Sequence, residues 1–318
     1  MLELLPWIAI LAVSLAGLVK GSDWFTEAAE KIGLWFGFPP FVIGITIVAV
    51  GTSLPELLSS IAATLQGSSE VVLGNVVGSN IVNIFLIVGV AAIMARRHIQ
   101  ITYDLVDVDL PIFVGSGVWL YLTVQDGSFS IGEAILSLFG FMIYVVYIFQ
   151  QGNTDTTVET ETAEQIRASH FPKKAITKLV VGALTMILGA NYTIESVREI
   201  SEIIQVGQDI IAISIVAFGT SLPELVVCIA MAKKEKAEVA VGNVIGSNIF
   251  NSFFVMGVPG ISGALVLSES TIKNGLPLML VGTILLFFVV QDKKVTAWEG
   301  WTFVMFYIWF VGHTFNFI

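Results

Sequence analysis

Ten apolar stretches, each of roughly the length that crosses a bilayer, take up nearly the whole chain and leave it few ways to fold. They run near 4–20, 40–64, 70–94, 106–124 and 131–150, then near 174–192, 208–232, 238–266, 273–290 and 298–316. Read as spanning helices, they predict an all-α integral membrane protein whose partner is the lipid bilayer. Composition agrees, with 55% hydrophobic and 13% charged residues, against roughly 25% charged in soluble domains. Nothing points to nucleic acid or to an obligate protein partner. Met1 to Glu3 lack the positive charge of a secretory signal, so the first stretch reads as a retained spanning helix.

The one long polar stretch, Gln151 to Lys174, divides the chain into a first half at 1–150, a connector at 151–173 and a second half at 174–318. Sidedness follows from the basic residues. Loops after the odd-numbered stretches hold Lys20, Lys31, Arg96, Arg97, Arg167, Lys173, Lys174, Lys178, Lys233, Lys234, Lys236, Lys293 and Lys294, leaving only Arg198 and Lys273 opposite. The positive-inside bias puts the connector in the cytoplasm and both termini outside. Trp24, Trp298 and Trp301 fit interfacial anchors. His98, His170 and His313 read as solvated or interfacial, Asp104, Asp107 and Asp109 as interfacial, and the lone Cys228 as a packing residue.

A self-match runs through both halves at an offset of 168 residues (219 − 51). Gly51-Thr52-Ser53-Leu54-Pro55-Glu56-Leu57 returns as Gly219-Thr220-Ser221-Leu222-Pro223-Glu224-Leu225, and Gly74-Asn75-Val76-Val77-Gly78-Ser79-Asn80 as Gly242-Asn243-Val244-Ile245-Gly246-Ser247-Asn248. Asn83 pairs with Asn251 and Glu27 with Glu195 at the same offset. Five stretches separate equivalent points. Five is odd, so the second half enters the membrane from the other side, giving two inverted five-helix repeats. Inverted repeats with interrupted helices are a transporter architecture, with the site near the midplane.

Glu56 and Glu224 lie inside spanning stretches, where an ionisable side chain is costly and faces a partner or a water-filled path. Pro55 and Pro223 have no N–H to give to the carbonyls of Gly51 and Gly219, which need a cation, a water or a side chain instead. Thr52 and Ser53 fall four and three residues before Glu56 and share a helical face with it; Asn75, Ser79 and Asn83 are successively four apart. The second half repeats the set as Thr220, Ser221, Glu224, Asn243, Ser247 and Asn251. These are oxygen donors of the kind hard cations prefer, and no His or Cys accompanies them to suggest zinc or copper. Two other readings stay open. Ser53 to Glu56 also has the form of a capping box, and the small and polar residues could serve helix packing alone.

The doubled Gly-Thr-Ser-Leu-Pro-Glu and Gly-Asn-x-x-Gly-Ser-Asn blocks resemble the sodium/calcium exchanger family of the calcium/cation antiporter superfamily, and especially its compact prokaryotic members. The resemblance implies a metal site in which Glu56 and Glu224 are the central carboxylates shared by calcium and sodium. Thr52, Thr220, Ser53 and Ser221 would add oxygens, Ser79 and Ser247 would line sodium positions, and Asn83 and Asn251 would sit at the middle. Backbone carbonyls of Ala49 and Ala217 would complete the set. Asn251 stands where the potassium-dependent branch carries an acid, and the Gly-Thr-Ser-Leu-Pro-Glu block favours sodium over proton coupling.

The function expected is therefore an alternating-access antiporter, not an enzyme. It has no resident cofactor, and it carries calcium and sodium as cargo in a prokaryotic plasma membrane. By resemblance, the first helix of each half slides across the core as the gate. Protons compete for the two glutamates as pH falls. A proton-coupled exchanger of the same architecture is the nearest alternative; a cation channel is the next.

Overall fold

A computed structural model describes residues 4–36, 49–95, 99–100, 109–152, 173–233, 237–315 and 317. The connector from 153 to 172 lies outside the described residues, as do residues 40–48 of the second stretch, Arg96, Arg97, Arg167, Lys234, Lys236, His98, His170, Asp104 and Asp107.

The helices follow the apolar stretches in order. The first half holds α1 (Leu4–Phe36), α2 (Ala49–Thr52), α3 (Leu54–Leu65), α4 (Glu70–Ile81), α5 (Gly89–Met94), α6 (Asp109–Thr123) and α7 (Ile131–Gly152). The second holds α8 (Lys173–Ile204), α9 (Gln208–Ile211), α10 (Ala217–Thr220), α11 (Leu222–Lys233), α12 (Ala237–Phe250), α13 (Met256–Gly260), α14 (Leu276–Gln291) and α15 (Ala297–Thr314). π-helical segments join several of them at Val82–Val88, Ala212–Val216, Asn251–Val255 and Thr271–Gly275. By length and composition, six of the described helices can each cross a membrane, and the bent pair Gln208–Thr220 and Leu222–Ile229 makes a seventh.

The protein is polar inside and apolar outside. Phe139, Met142, Leu184, Leu188, Phe288, Met305 and Ile308 are exposed on the helix exteriors, while Ser53, Glu56, Asn75, Ser79, Asn83, Thr220, Glu224, Ser247 and Asn251 are buried. A soluble protein rarely exposes so much contiguous apolar surface; in lipid that surface is the solvated one. α4 is buried from Val71 to Ile81 without a break, its Asn75, Ser79 and Asn80 included, and so runs through the centre of the bundle. Gly78 lets it approach the π-helical segment Ala212–Val216 closely, since a Cβ there would lie 2.3 Å from the Ile213 carbonyl oxygen.

Two expectations need correction. α1 and α8 run to Phe36 and Ile204, well past the expected ends at 20 and 192. The polar second half of α1 carries charges a turn apart that pair and support the helix: Lys20 with Asp23 at 3.5 Å, and Lys31 with Glu27 at 2.9 Å. At 33 residues α1 is about 50 Å long, more than the hydrocarbon core needs. Lys20, Lys31, Lys173, Lys174, Lys178 and Lys233 lie on helices rather than in loops, and Trp24 lies within α1. The fold is all-α apart from four two-residue strands among the described residues. β1 (Ile99–Gln100) pairs antiparallel with β4 (Lys294–Val295), and β2 (Ser128–Phe129) with β3 (Leu265–Val266), tying helix ends of the two halves together.

α1 and α8 pack along each other in opposite directions. Gly21 meets Gly182 and Met186, while Gly189 meets Ser14 and Leu18, so one chain number rises as the other falls. A Cβ on Gly182 would sit 2.8 Å from the Gly21 carbonyl oxygen, so backbones touch where no side chain intervenes. Thr193 donates to Ser14 over 3.0 Å at one end of this seam, and Lys178 pairs with Glu27 at the other.

Candidate cation site

The two Gly-Thr-Ser-Leu-Pro-Glu blocks break their helices at matching points. α2 ends at Thr52 and α3 starts at Leu54; α10 ends at Thr220 and α11 starts at Leu222. Pro55 sits in the first turn of α3, where a missing N–H costs nothing. The Gly51 carbonyl that it cannot serve accepts the Ser22 hydroxyl from α1. A neighbouring side chain is thus one partner of that carbonyl.

Each break turns its serine toward the other half. Ser53 Oγ donates to Glu224 Oε1 over 2.9 Å, and Ser221 Oγ donates to Glu56 Oε1 over 3.1 Å. Local spacing puts Ser53 beside Glu56, but the break at Ser53 swings its hydroxyl across 171 residues of sequence instead. The capping-box reading fails on the same observation, because Ser53 at the α3 N-cap makes no side-chain capping bond. A capping box does form at Thr296 and Glu299 of α15. Thr52 lies beside the Glu224 carboxylate and Thr220 beside that of Glu56.

The central helices supply the rest. Ser79 Oγ on α4 reaches Glu56 Oε1 at 3.5 Å. Asn83 and Asn251 begin or adjoin the π-helical segments that follow α4 and α12, a local geometry frequent at functional sites. Among the buried side-chain oxygens of the described residues that have no hydrogen-bond partner, five belong to this set: Glu56 Oε2, Glu224 Oε2, Asn83 Oδ1, Asn251 Oδ1 and Ser247 Oγ. Orphaned buried oxygens cost free energy unless something satisfies them. Two carboxylate, two amide and one hydroxyl oxygen left open in one polar core suit a hard cation.

Two residues of the oxygen stripes turn elsewhere. Asn75 Nδ2 donates to the Glu56 carbonyl and to Ser60 Oγ, both at 3.1 Å, and its Oδ1 accepts from Thr220 at 3.4 Å, so Asn75 joins helices. Asn243 instead faces Cys228, which occupies the place that Ser60 holds in the first half (228 − 168 = 60). The Ala217 carbonyl already accepts the Ser221 N–H at 3.1 Å and the Thr220 hydroxyl at 3.3 Å, and it would have to release one to bind an ion. Ala49 opens α2 at the matching point, with its backbone alone described.

Sequence spacing missed Asn80 and Asn248, which lie one residue off the four-spaced stripes. Asn83 Nδ2 donates to Asn248 Oδ1 over 2.9 Å, and Asn251 Nδ2 donates to Asn80 Oδ1 over 3.1 Å. Their return at the 168-residue offset was the one available signal.

Known proteins carry the same arrangement of sequence and fold. A family model described as sodium/calcium exchanger protein matches residues 6–150 and 174–316. The sodium/calcium exchanger MaX1 of Methanosarcina acetivorans is 34% identical to this chain, covering 95% of it and 96% of that protein. Inner membrane protein YrbG of Escherichia coli is 32% identical over 80% of this chain and 79% of its own. A solved sodium-calcium exchanger, soaked with 2.5 mM Na+ and 0.1 mM Ca2+, matches with a TM-score of 0.67 at 28% identity, covering 95% of this chain and 96% of that one. With a family model matching both halves and a relative 34% identical over nearly the full length, the chain belongs to the sodium/calcium exchanger family.

Proposed function

We propose that the chain exchanges calcium for sodium across a membrane by alternating access, with its cation site near the bilayer midplane. One observation carries the reading: two fully buried glutamates, each bonded to a serine of the opposite half, keep one carboxylate oxygen open beside open amide and hydroxyl oxygens. A calcium ion takes six to eight such oxygens and offsets both negative charges. Several sodium ions in its place do the same. An uncompensated buried charge costs several kcal/mol even after relaxation. The loaded carrier can therefore pass through an occluded state that the empty carrier resists, and this asymmetry couples the two ions.

The architecture proposed is ten transmembrane helices in two inverted five-helix repeats, at 1–150 and 174–318, joined by the connector at 151–173. Contacts that exchange under the 168-residue offset support it. They are the Ser53–Glu224 and Ser221–Glu56 bonds, the Asn83–Asn248 and Asn251–Asn80 bonds, and the antiparallel seam of α1 with α8. The ligands proposed are Glu56 and Glu224 with Thr52, Thr220, Ser53, Ser221, Ser79, Ser247, Asn83 and Asn251, joined by the carbonyls of Ala49 and Ala217. A prokaryotic plasma membrane, with the connector cytoplasmic and both termini outside, completes the reading.

The test uses the purified chain in vesicles. A sodium gradient alone drives calcium uptake, and a pH gradient alone does not. Uptake driven by the pH gradient and indifferent to sodium would make the chain a proton-coupled exchanger, and currents too large for a carrier would make it a channel.

A further inference from the structure

An asparagine facing a cation is a ligand only in one of its two amide orientations. Turned by half a rotation it presents an NH2 group, which repels the ion. At the Asn251 position the protein holds one orientation, and at Asn83 the same amide-to-amide contact recurs. Asn251 Nδ2 is engaged by Asn80 Oδ1 at 3.1 Å and Asn83 Nδ2 by Asn248 Oδ1 at 2.9 Å, while Oδ1 of Asn251 and of Asn83 stays buried and open. Asn80 is itself oriented by Met279 Sδ, which accepts but cannot donate and lies 3.5 Å from Asn80 Nδ2; the same Nδ2 donates to Ser252 Oγ over 3.0 Å, which leaves its Oδ1 to receive Asn251. The other arm lacks that anchor. Asn248 Nδ2 has no partner, and Ile84 stands where Ser252 does in the repeat (252 − 168 = 84).

We propose that Asn80 and Asn248 are positioning residues that lock the amides of Asn251 and Asn83 with their oxygens toward the cation, and that the Asn80 arm, backed by Ser252, is the firmer of the two. The inference rests on the reading of Asn83 and Asn251 as cation ligands. It differs from simple helix packing in one respect. Orientation matters only while the held side chain is an amide; an aspartate presents oxygen whichever way it turns.

Calcium KM for sodium-driven uptake is measured on the full-length chain in vesicles, for Asn80→Ala, Asn251→Asp and the double variant. Loss of one holding hydrogen bond in Asn80→Ala raises KM roughly threefold to tenfold with kcat little changed. In the Asn251→Asp background, compared with that background's own baseline, Asn80→Ala leaves KM unchanged within about twofold. An equal rise in both backgrounds makes Asn80 a packing residue and overturns the proposal. So does a silent Asn80→Ala where Asn251→Ala raises KM, although the ligand reading then stands. Silence of both Asn80→Ala and Asn251→Ala removes the ligand reading and this inference with it. Should Asn80→Ala not reach vesicles folded, Asn248→Ala with Asn83→Asp makes the same comparison in the other arm.

Discussion

A carboxylate with no exposed surface and one oxygen unpartnered is a demand for a counter-charge, and this core contains two of them. The demand gives a test that separates ligation from structure. Glu56→Gln keeps an oxygen for Ser221 and removes a charge, and Glu224→Gln does the same for Ser53. Each variant is expected to lose calcium uptake by a hundredfold or more, because stripping one partner from a buried ionic cluster costs about 3–5 kcal/mol. Calcium at a hundred times its dissociation constant stabilises the native chain by about 2.7 kcal/mol. That rise in Tm in detergent should vanish in both variants; a full calcium-dependent rise in either would remove its glutamate from the site. The Ser22 hydroxyl supports a different prediction. Ser22→Ala orphans the Gly51 carbonyl in a dry interior and should destabilise by about 1–3 kcal/mol, read as a lower Tm with calcium KM nearly unchanged. An unchanged Tm would mean another group takes over the carbonyl. Which residues bear charge and oxygen was legible in the sequence, because the repeat keeps polar residues in register through apolar surroundings. Which oxygen meets which was not. Ser53 pairs with Glu224 rather than Glu56 because the chain leaves the helix at Ser53, and no spacing rule written for intact helices carries that information.

Element ends were legible wherever an apolar run and a helix stop together, as at Ile131–Gly152. They were not where charged residues continue the helix by pairing a turn apart, as Lys20, Asp23, Glu27 and Lys31 do in α1. The longer helices matter for motion. Backbone contact through Gly21, Gly182 and Gly189 gives the α1–α8 pair no room to slide internally, and the Glu27–Lys178 ion pair joins its ends. The pair is therefore expected to move as one body against the core. In a Cys228→Ser background, which places in the second half the residue that Ser60 supplies in the first, cysteines at Gly17 and Thr185 lie close enough to link, since a Cβ at Gly17 falls 3.9 Å from Thr185 Cγ2. Exchange should survive that disulfide at more than about half its rate, as no relative motion within the pair is needed. Abolished exchange, restored by reduction, would mean the two helices move separately. Gly182→Leu, by contrast, forces the backbones apart and should lower both Tm and exchange.

At the scale of the whole molecule the charges are sorted by end. The C-terminal half of α1 meets the N-terminal end of α8, so Lys20, Lys31, Lys174 and Lys178 gather at one end with Trp24, whose ring lies 5.9 Å from the Lys20 ammonium. Lys31 and Lys178 share Glu27, which leaves that end net positive. The two basic residues placed at the other end are each matched by an adjacent acid, Arg198 by Glu199 at 3.7 Å and Lys273 by Glu269. Extending α1 and α8 beyond their apolar runs thus moves lysines from loops onto helices without moving them across the membrane. On the topology proposed above, the positive-inside bias would still place the lysine-rich end in the cytoplasm. In the Cys228→Ser background, a cysteine replacing Gln125, an exposed residue before β2, should react with an impermeant maleimide added to intact cells. A cysteine replacing Thr156 in the connector should react only once the membrane is opened. The reverse pattern would invert the molecule and exchange the roles of its two ends. Labelling of both positions in intact cells would mean that the chain inserts in both orientations, which an antiporter built from two inverted halves tolerates only if its charge asymmetry, not its fold, sets direction.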